Sequence, residues 1–102
     1  MNPKELLQRM KLKNAPPVLD VRTAGEFASG HIPGAIHAPT MKIMFNPSAL
    51  PADKKQLIVV TCELGPRAQM AKGILAVRGY QNVELLDGHM SAWRRSNYPL
   101  ER

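Results

Sequence analysis

Cysteine is almost absent from this sequence, since Cys62 is the only one among 102 residues. A single cysteine excludes an intramolecular disulfide framework and any metal site built from several thiolates. It leaves two possibilities for Cys62: a buried thiol that packs as a small hydrophobe, or a reactive thiol. The histidines at positions 31, 37 and 89 lack metal-ligand spacing, and no cluster of acidic residues joins them. We therefore predict neither a metal nor a cofactor.

Aromatic residues and long apolar runs are also scarce. Aromatics make up 5% of the chain, and no apolar run approaches the length needed to cross a membrane. The segment Met1–Glu5 contains no apolar signal core, so we expect a cytoplasmic protein without a membrane partner, unless a leader has been removed.

Acidic residues are outnumbered, with 8 Asp and Glu against 14 Lys and Arg, which gives a net charge of +6. The bases are dispersed along the chain, and they lack the interleaved aromatics that a nucleic-acid-binding stripe favours. We therefore predict no nucleic-acid partner. A solvated basic surface is the simplest interpretation, and mild steering of a small anion is the functional one.

Residues 57–79 form the most informative segment. Leu57–Val60 is an apolar run rich in β-branched residues, which predicts a buried strand. Ala68–Arg78 carries apolar residues at helical spacing and predicts a helix that ends at Gly79. Cys62 lies in the loop between the two. A thiol in this place faces backbone N–H groups at the start of a helix, a geometry that stabilises a thiolate and binds anions.

The remainder of the chain alternates between predicted helices and strands. Helices are predicted from Asn2, from the capping box Thr23–Glu26 and over His89–Asn97, and one or two further helical turns are predicted near Met41–Phe45. Strands are predicted at Val18–Val21, in a short segment that reaches Ile36, and at Val83–Leu86. A connecting loop is predicted around Pro47 and Pro51. This alternation predicts one α/β domain over residues 1–102, with a parallel sheet and helices on both faces. Sites in such sheets form beyond the carboxyl ends of the strands, where Asp20 and Cys62 fall.

Several short motifs, taken in order, resemble those of single-domain rhodanese-like sulfurtransferases. They are Asp20-Val21-Arg22, Glu26-Phe27, the run from Gly30 to Ala35, the run from Cys62 to Arg67, and Leu86-Asp87-Gly88 with Trp93. Each motif alone is weak, but their order and spacing make the resemblance specific, and it covers nearly the whole chain. The resemblance implies an open parallel sheet of four to five strands with helices on both faces.

The resemblance also implies a chemistry for Cys62. In this family the cysteine thiolate attacks a sulfane donor such as thiosulfate, becomes a persulfide, and passes the outer sulfur to a thiol or protein acceptor. The substrate-binding loop would consist of Glu63, Leu64, Gly65, Pro66, Arg67 and Ala68. The residues suit this role, because Arg67 can hold sulfonate oxygens with a forked pair of hydrogen bonds. Gly65 lets the loop curl, so that successive N–H groups converge on the sulfur.

Three loop residues depart from the pattern of thiosulfate-using relatives. Glu63 stands where those relatives often carry a base, and its carboxylate at the rim would repel a dianionic donor. Pro66 removes one N–H from the cradle, although its fixed φ favours the start of the helix. Ala68 replaces a hydroxyl that could assist the persulfide. We therefore expect weak use of thiosulfate and better use of a low-charge persulfide or polysulfide.

The other family positions are predicted to be supporting residues. Asp20 should brace loop amides, Arg22 should pair with Glu26 or another acid, and His31 should belong to a structural turn. The apolar side chains of Met41–Phe45 should form pocket wall or core.

Two other functional classes remain open. One is a non-catalytic rhodanese-like module that binds a protein partner, although such modules commonly lack the cysteine. The other is a phosphatase or arsenate reductase of the same fold. Related phosphatases have five residues between the cysteine and the arginine, whereas this chain has four, Glu63 to Pro66, so a phosphate group should fit poorly.

Overall fold

The structure, a computed structural model, describes residues 1–46, 48 and 50–102. Helices and strands alternate along these residues, as the sequence predicts. In chain order they are α1 (Pro3–Lys11), β1 (Val18–Asp20), α2 (Ala24–Ser29), β2 (Ile36–His37), α3 (Thr40–Phe45), β3 (Ile58–Thr61), α4 (Pro66–Val77), β4 (Val83–Leu85) and α5 (His89–Arg95). Of the two prolines expected in a connecting loop, Pro51 precedes β3, and Pro47 lies outside the described residues.

The strands form a parallel sheet in the order β2-β1-β3-β4 over the described residues. This confirms the predicted open parallel sheet, with β1 and β3 at its centre. In the register Asp20 lies opposite Thr61, so the residues that follow β1 and β3 emerge side by side at the carboxyl edge. Cys62 is the first residue beyond that edge on β3.

Both faces of the sheet are covered, because side chains alternate along each strand. One face packs against α3 and α4, and its core includes Leu19, Ile58, Val60, Ile43, Ala71 and Leu75. The other face packs against α1 and α5, and its core includes Val18, Val59, Leu6, Met90 and Trp93. Every residue of β3 is buried. The predicted helices on both faces are thereby confirmed.

Two local predictions need correction. The helix expected from Ala68 begins at Pro66, because proline is favoured at the first helical position, where no N–H partner is required. The apolar residues of α3 do not all join the core: Ile43 is fully buried, but Met41 and Phe45 are 66% and 71% exposed. A six-residue helix can turn only one narrow stripe toward α4, so its flanking apolar side chains face outward.

None of the helices in the described part of the chain is long and apolar enough to span a bilayer.

Gly88 provides a test of the turn that leads into α5. Its φ is +71°, and an added Cβ would lie 2.4 Å from the Cβ of Ala92. Gly88→Ala should therefore lower the free energy of unfolding by roughly 1–3 kcal/mol, measured by urea denaturation.

Gly73 is the matched control, because it lies within α4 and an added Cβ there meets nothing within 4 Å. Gly73→Ala should raise stability by about 0.5–1 kcal/mol. Equal effects of the two substitutions would contradict the account of the Gly88 turn.

Candidate active site

Cys62 lies in a tight turn between β3 and α4. Its Sγ accepts a hydrogen bond of 3.0 Å from the backbone N–H of Gly65. Gly65 has a φ of +138°, a conformation that side-chain-bearing residues rarely adopt, so glycine is what allows the loop to curl back onto the sulfur. The turn then enters α4 at Pro66. An amide donor at the amino end of a helix favours negative charge on the sulfur.

The start of α5 holds the same loop from the other side. The N–H groups of Met90 and Ser91 donate to the carbonyl oxygens of Cys62 and Glu63, at 3.0 and 3.2 Å. The N–H of Cys62 donates to Nδ1 of His89 at 3.3 Å. The loop is therefore fixed by hydrogen bonds from two helices rather than by its own turn alone.

A buried ion pair supports this edge of the sheet. Asp20 is fully buried, and its carboxylate accepts from Nε of Arg22 at 2.9 and 3.1 Å and from its Nη2 at 2.7 Å. Asp20 also accepts from the backbone N–H of Arg22, and Nη2 of Arg22 donates to the carbonyl of Gly30. Arg22 thus pairs with Asp20, not with Glu26, and the predicted bracing of a loop amide by Asp20 is observed.

Glu26 pairs instead with the arginine of the cysteine loop. Nη1 and Nη2 of Arg67 donate to the two carboxylate oxygens of Glu26 at 2.6 and 3.0 Å. Glu26 also completes the predicted capping box with Thr23. The hydrogen bonds from Arg67 and from the Thr23 amide lower the pKa of Glu26 to about 2. The forked donors that the sequence analysis assigned to an anionic donor are therefore engaged with a carboxylate.

Glu63 does not stand as an unpaired charge at the rim. One carboxylate oxygen accepts a hydrogen bond from the guanidinium of Arg94, and the other lies 3.6 Å from Nη1 of Arg22. These contacts with Arg94 and Arg22 reduce the repulsion of a dianionic donor that the sequence analysis expects from Glu63, and that expectation stays a prediction. Contacts between a loop residue and α5 cannot be seen from the loop sequence itself.

The remaining predicted residues fall into different environments. Leu64 is 73% exposed, whereas Ala68 is fully buried, backbone included, in the core cluster that contains Cys62. His31 is structural, as expected: its Nδ1 lies 2.8 Å from the carbonyl of Phe27, and its ring stacks on the Phe27 ring.

A separate groove of about 780 Å³ lies away from the cysteine loop, beside α4. It is lined by residues that include Met44, Leu50, Lys54, Ile74, Arg78 and Tyr80. Met44 is thus a wall of this groove rather than of a cavity around Cys62. In the part of the chain that the structure describes, no group of three His, Cys, Asp or Glu side chains could hold a metal ion.

The sequence analysis missed His89 and Arg94 as members of the site. A signal for both was available in the predicted topology. Since β4 follows the same direction as β3, the helix after β4 must begin at the edge where Cys62 lies. The residues that open this helix are therefore candidates for contact with the cysteine loop.

The fold and the site define an α/β protein whose central strand leads to a cysteine in a tight turn, where a backbone N–H donates to the sulfur and an arginine follows at the start of the next helix. Comparison with known proteins gives the family. The family model described as "Rhodanese-like domain" matches residues 2–96. The chain belongs to the rhodanese-like domain family.

Named relatives and solved structures agree with this placement. A sulfurtransferase of Allochromatium vinosum is 35% identical over 83 residues, covering 81% of this chain and 76% of the relative. The thiosulfate sulfurtransferase GlpE of Pseudomonas putida is 33% identical over 99 residues, covering 97% and 86%. A rhodanese-related protein of Thermoplasma volcanium is similar in structure, with a TM-score of 0.83 at 27% identity, covering 99% of this chain and 95% of that one.

The buried pair of Asp20 and Arg22 generates a stability prediction. Asp20→Asn removes the carboxylate charge and leaves the guanidinium of Arg22 buried without its main partner. This should lower the free energy of unfolding by about 3–5 kcal/mol in urea denaturation.

The control is Glu5→Gln, which removes an exposed carboxylate 3.5 Å from Arg9 on α1. That substitution should cost less than about 0.5 kcal/mol. A comparably small loss for Asp20→Asn would mean that the buried pair does not support the fold.

Proposed function

We propose that this protein is a sulfurtransferase that carries a sulfane sulfur on Cys62. The Cys62 thiolate attacks the outer sulfur of a donor, so a new S–S bond forms and the donor's own bond to that sulfur breaks. The leaving group, sulfite from thiosulfate or a thiolate from a persulfide, departs with the electron pair. An acceptor thiolate then attacks the outer sulfur of the Cys62 persulfide and restores the Cys62 thiolate.

The contact between the Gly65 N–H and Sγ is the observation that carries this proposal. It favours an anionic sulfur at the start of α4, and a thiolate is the nucleophile of thiol chemistry. The buried state of Cys62, which is 1% exposed, leaves narrow access to Sγ. Narrow access suits a small sulfane donor or the extended thiol tip of a protein acceptor.

The donor preference follows from the pairing of Arg67. A dianionic donor such as thiosulfate must compete with the Glu26 carboxylate for the guanidinium. A low-charge persulfide or polysulfide needs no such exchange. The pairing of Arg67 therefore favours low-charge donors on a ground that is separate from Glu63, whose own charge is partly offset by Arg94 and Arg22. The relatives named GlpE are called thiosulfate sulfurtransferases, which keeps thiosulfate among the donors to be tested.

The persulfide can be tested by intact mass, because the chain contains only one cysteine. Exposure to thiosulfate or to a low-molecular-weight polysulfide should add one sulfur atom, and a thiol reductant should remove it. Cys62→Ser is the matched control and should gain no mass. A wild-type protein that remains unmodified by every donor would favour the alternative of a protein-binding module.

The competition for Arg67 gives a second test. Glu26→Gln keeps a side chain that can cap α2 but loses the charge that engages the guanidinium. The KM for thiosulfate should fall several-fold, since an exposed ion pair is worth up to about 1 kcal/mol. Arg67→Ala should raise the same KM, because a charge-assisted contact contributes roughly 1.5–3 kcal/mol.

Glu101→Gln serves as a control for the loss of a surface carboxylate, because Glu101 pairs with His31 and not with the cysteine loop. Its KM should match that of the wild type. If Glu26→Gln raises the KM for thiosulfate instead of lowering it, Glu26 orients Arg67 for the donor rather than competing with it.

A further inference from the structure

His89 has a strained backbone and a buried side chain directly beneath the cysteine loop. Its φ is +53°, in the left-handed region that residues other than glycine occupy uncommonly, asparagine, aspartate and histidine more often than the rest. The residue is only 6% exposed. Backbone strain of this kind persists where the surrounding structure enforces it, and it concentrates at functional sites. A histidine here therefore calls for an explanation beyond helix packing.

The imidazole ring contacts both residues that define the position of the sulfur. Nδ1 accepts the backbone N–H of Cys62 at 3.3 Å, and the hydroxyl of Thr61 lies 3.4 Å from the same nitrogen. On the other side of the ring, a Cβ added to Gly65 would lie 3.3 Å from Nε2. Gly65 is the residue whose N–H donates to Sγ. The ring thus fills the space between the two ends of the turn.

This arrangement selects one protonation state. Because the Cys62 N–H donates to Nδ1, that nitrogen carries no proton, and the neutral ring must carry its hydrogen on Nε2. A protonated ring would carry a second hydrogen on Nδ1, facing the Cys62 N–H. Two donors cannot satisfy each other, so protonation breaks this contact.

The charged groups around His89 act in different directions. Burial, the largest effect, lowers the pKa of His89 from its usual value of 6.5; the Asp87 carboxylate opposes it, and the amino-terminal ammonium of Met1 adds to it. His89 accepts a hydrogen bond from the backbone N–H of Cys62. A thiolate on the side chain of the same cysteine would favour the protonated form of the His89 ring. Because the pKa is lowered, the neutral ring is retained to a lower pH than that of a free histidine.

We propose that His89 is a positioning residue that holds the Cys62 turn in its reactive conformation through the neutral, Nε2-protonated ring. Its effect on sulfur transfer rests on the function proposed above, but its effect on the thiol does not. Above about pH 6.5 the neutral ring accepts the Cys62 N–H and stabilises the turn. This stabilisation is lost as the pH falls through the lowered pKa of His89 in the folded protein.

The test compares two substitutions at this position. The side-chain oxygen of Asn can stand where Nδ1 stands, and asparagine tolerates a positive φ. His89→Asn should therefore keep the contact without a titrating group. His89→Gly accepts the backbone conformation but removes the acceptor and the ring. His37→Asn is the control, since His37 lies at the same sheet edge and its Nε2 meets the carbonyl of Arg22.

Two readouts do not depend on sulfur transfer. The rate of alkylation of Cys62 by iodoacetamide should fall about tenfold or more in His89→Gly at pH 7.5 and stay within about threefold of wild type in His89→Asn. As the pH is lowered below 6.5, the wild-type rate should fall more steeply than the His89→Asn rate once the pH passes the lowered pKa of His89. Nitrogen chemical shifts of the wild-type imidazole should report the Nε2-protonated form at pH 7.5.

Three results would overturn the proposal: an Nδ1-protonated ring at pH 7.5, equal alkylation rates in all variants, or pH profiles of wild type and His89→Asn that coincide. The nitrogen shifts are measured on the wild type, so the proposal stays testable if a variant fails to fold. A wild-type protein that passes these tests but never gains a sulfur atom would refute the transferase function and leave the role of His89 intact.

Discussion

The parallel pairing of β1, β3 and β4 constrains where every polar group of the site can lie. Parallel strands end at one common edge, so the segments that follow them must share a small surface. Three things meet there: the buried pair after β1, the cysteine turn after β3, and the start of α5 after β4. The two faces of the sheet are occupied by apolar cores, which leaves this edge as the place where buried polar groups can find one another.

Charge at this edge is locally balanced, although the chain as a whole carries a net charge of +6. Three arginines and three carboxylates meet there. Arg22 pairs with Asp20, and Arg67 pairs with Glu26. Glu63 lies between Arg94 and Arg22. Asp20 and Arg22 are buried, and such charges are tolerated only when they are paired, whereas the other four side chains are partly exposed. The pairing also means that the net positive charge resides mainly on the outer surface. The net positive charge of the molecule can therefore attract an anion toward the protein, but the site itself adds little further attraction, because its charges nearly cancel.

Local sequence signals predicted the elements well because each depends on neighbours in the chain. The capping box of Thr23 and Glu26 involves residues three apart, and Pro66 acts at the first position of its own helix. The β-branched run before Cys62 predicted the central strand for a similar reason, because consecutive β-branched side chains favour strand conformation and pack well in a buried sheet. The cysteine turn could be predicted because the strand, the glycine and the helix start adjoin in sequence.

The long-range pairings could not be predicted in the same way. Glu26 and Arg67 are 41 residues apart, and Glu63 and Arg94 are 31 apart. With 14 bases and 8 acids, a sequence offers many partners for each charge, and only the folded backbone selects among them. The sequence analysis therefore treated Glu63 as an unpaired charge, whereas its carboxylate lies against Arg94. The contacts of His89 with Thr61 and Cys62 also span 27 residues or more, so only the strand order, and not the local pattern, points to them.

The balance of charge at the site bears on the proposed function, in which the protein both accepts and releases sulfur. Stabilisation helps turnover only where it is greater in the transition state than in the bound state, so a site that held the persulfide too strongly would trap it. The Gly65 amide provides one directed hydrogen bond to the sulfur, while the nearby guanidinium groups are already engaged with carboxylates. Such a site offers enough polarity to form the anionic sulfur and little excess charge to retain it. The same carboxylates that compete with an anionic donor for the guanidinium groups would then allow the outer sulfur to leave.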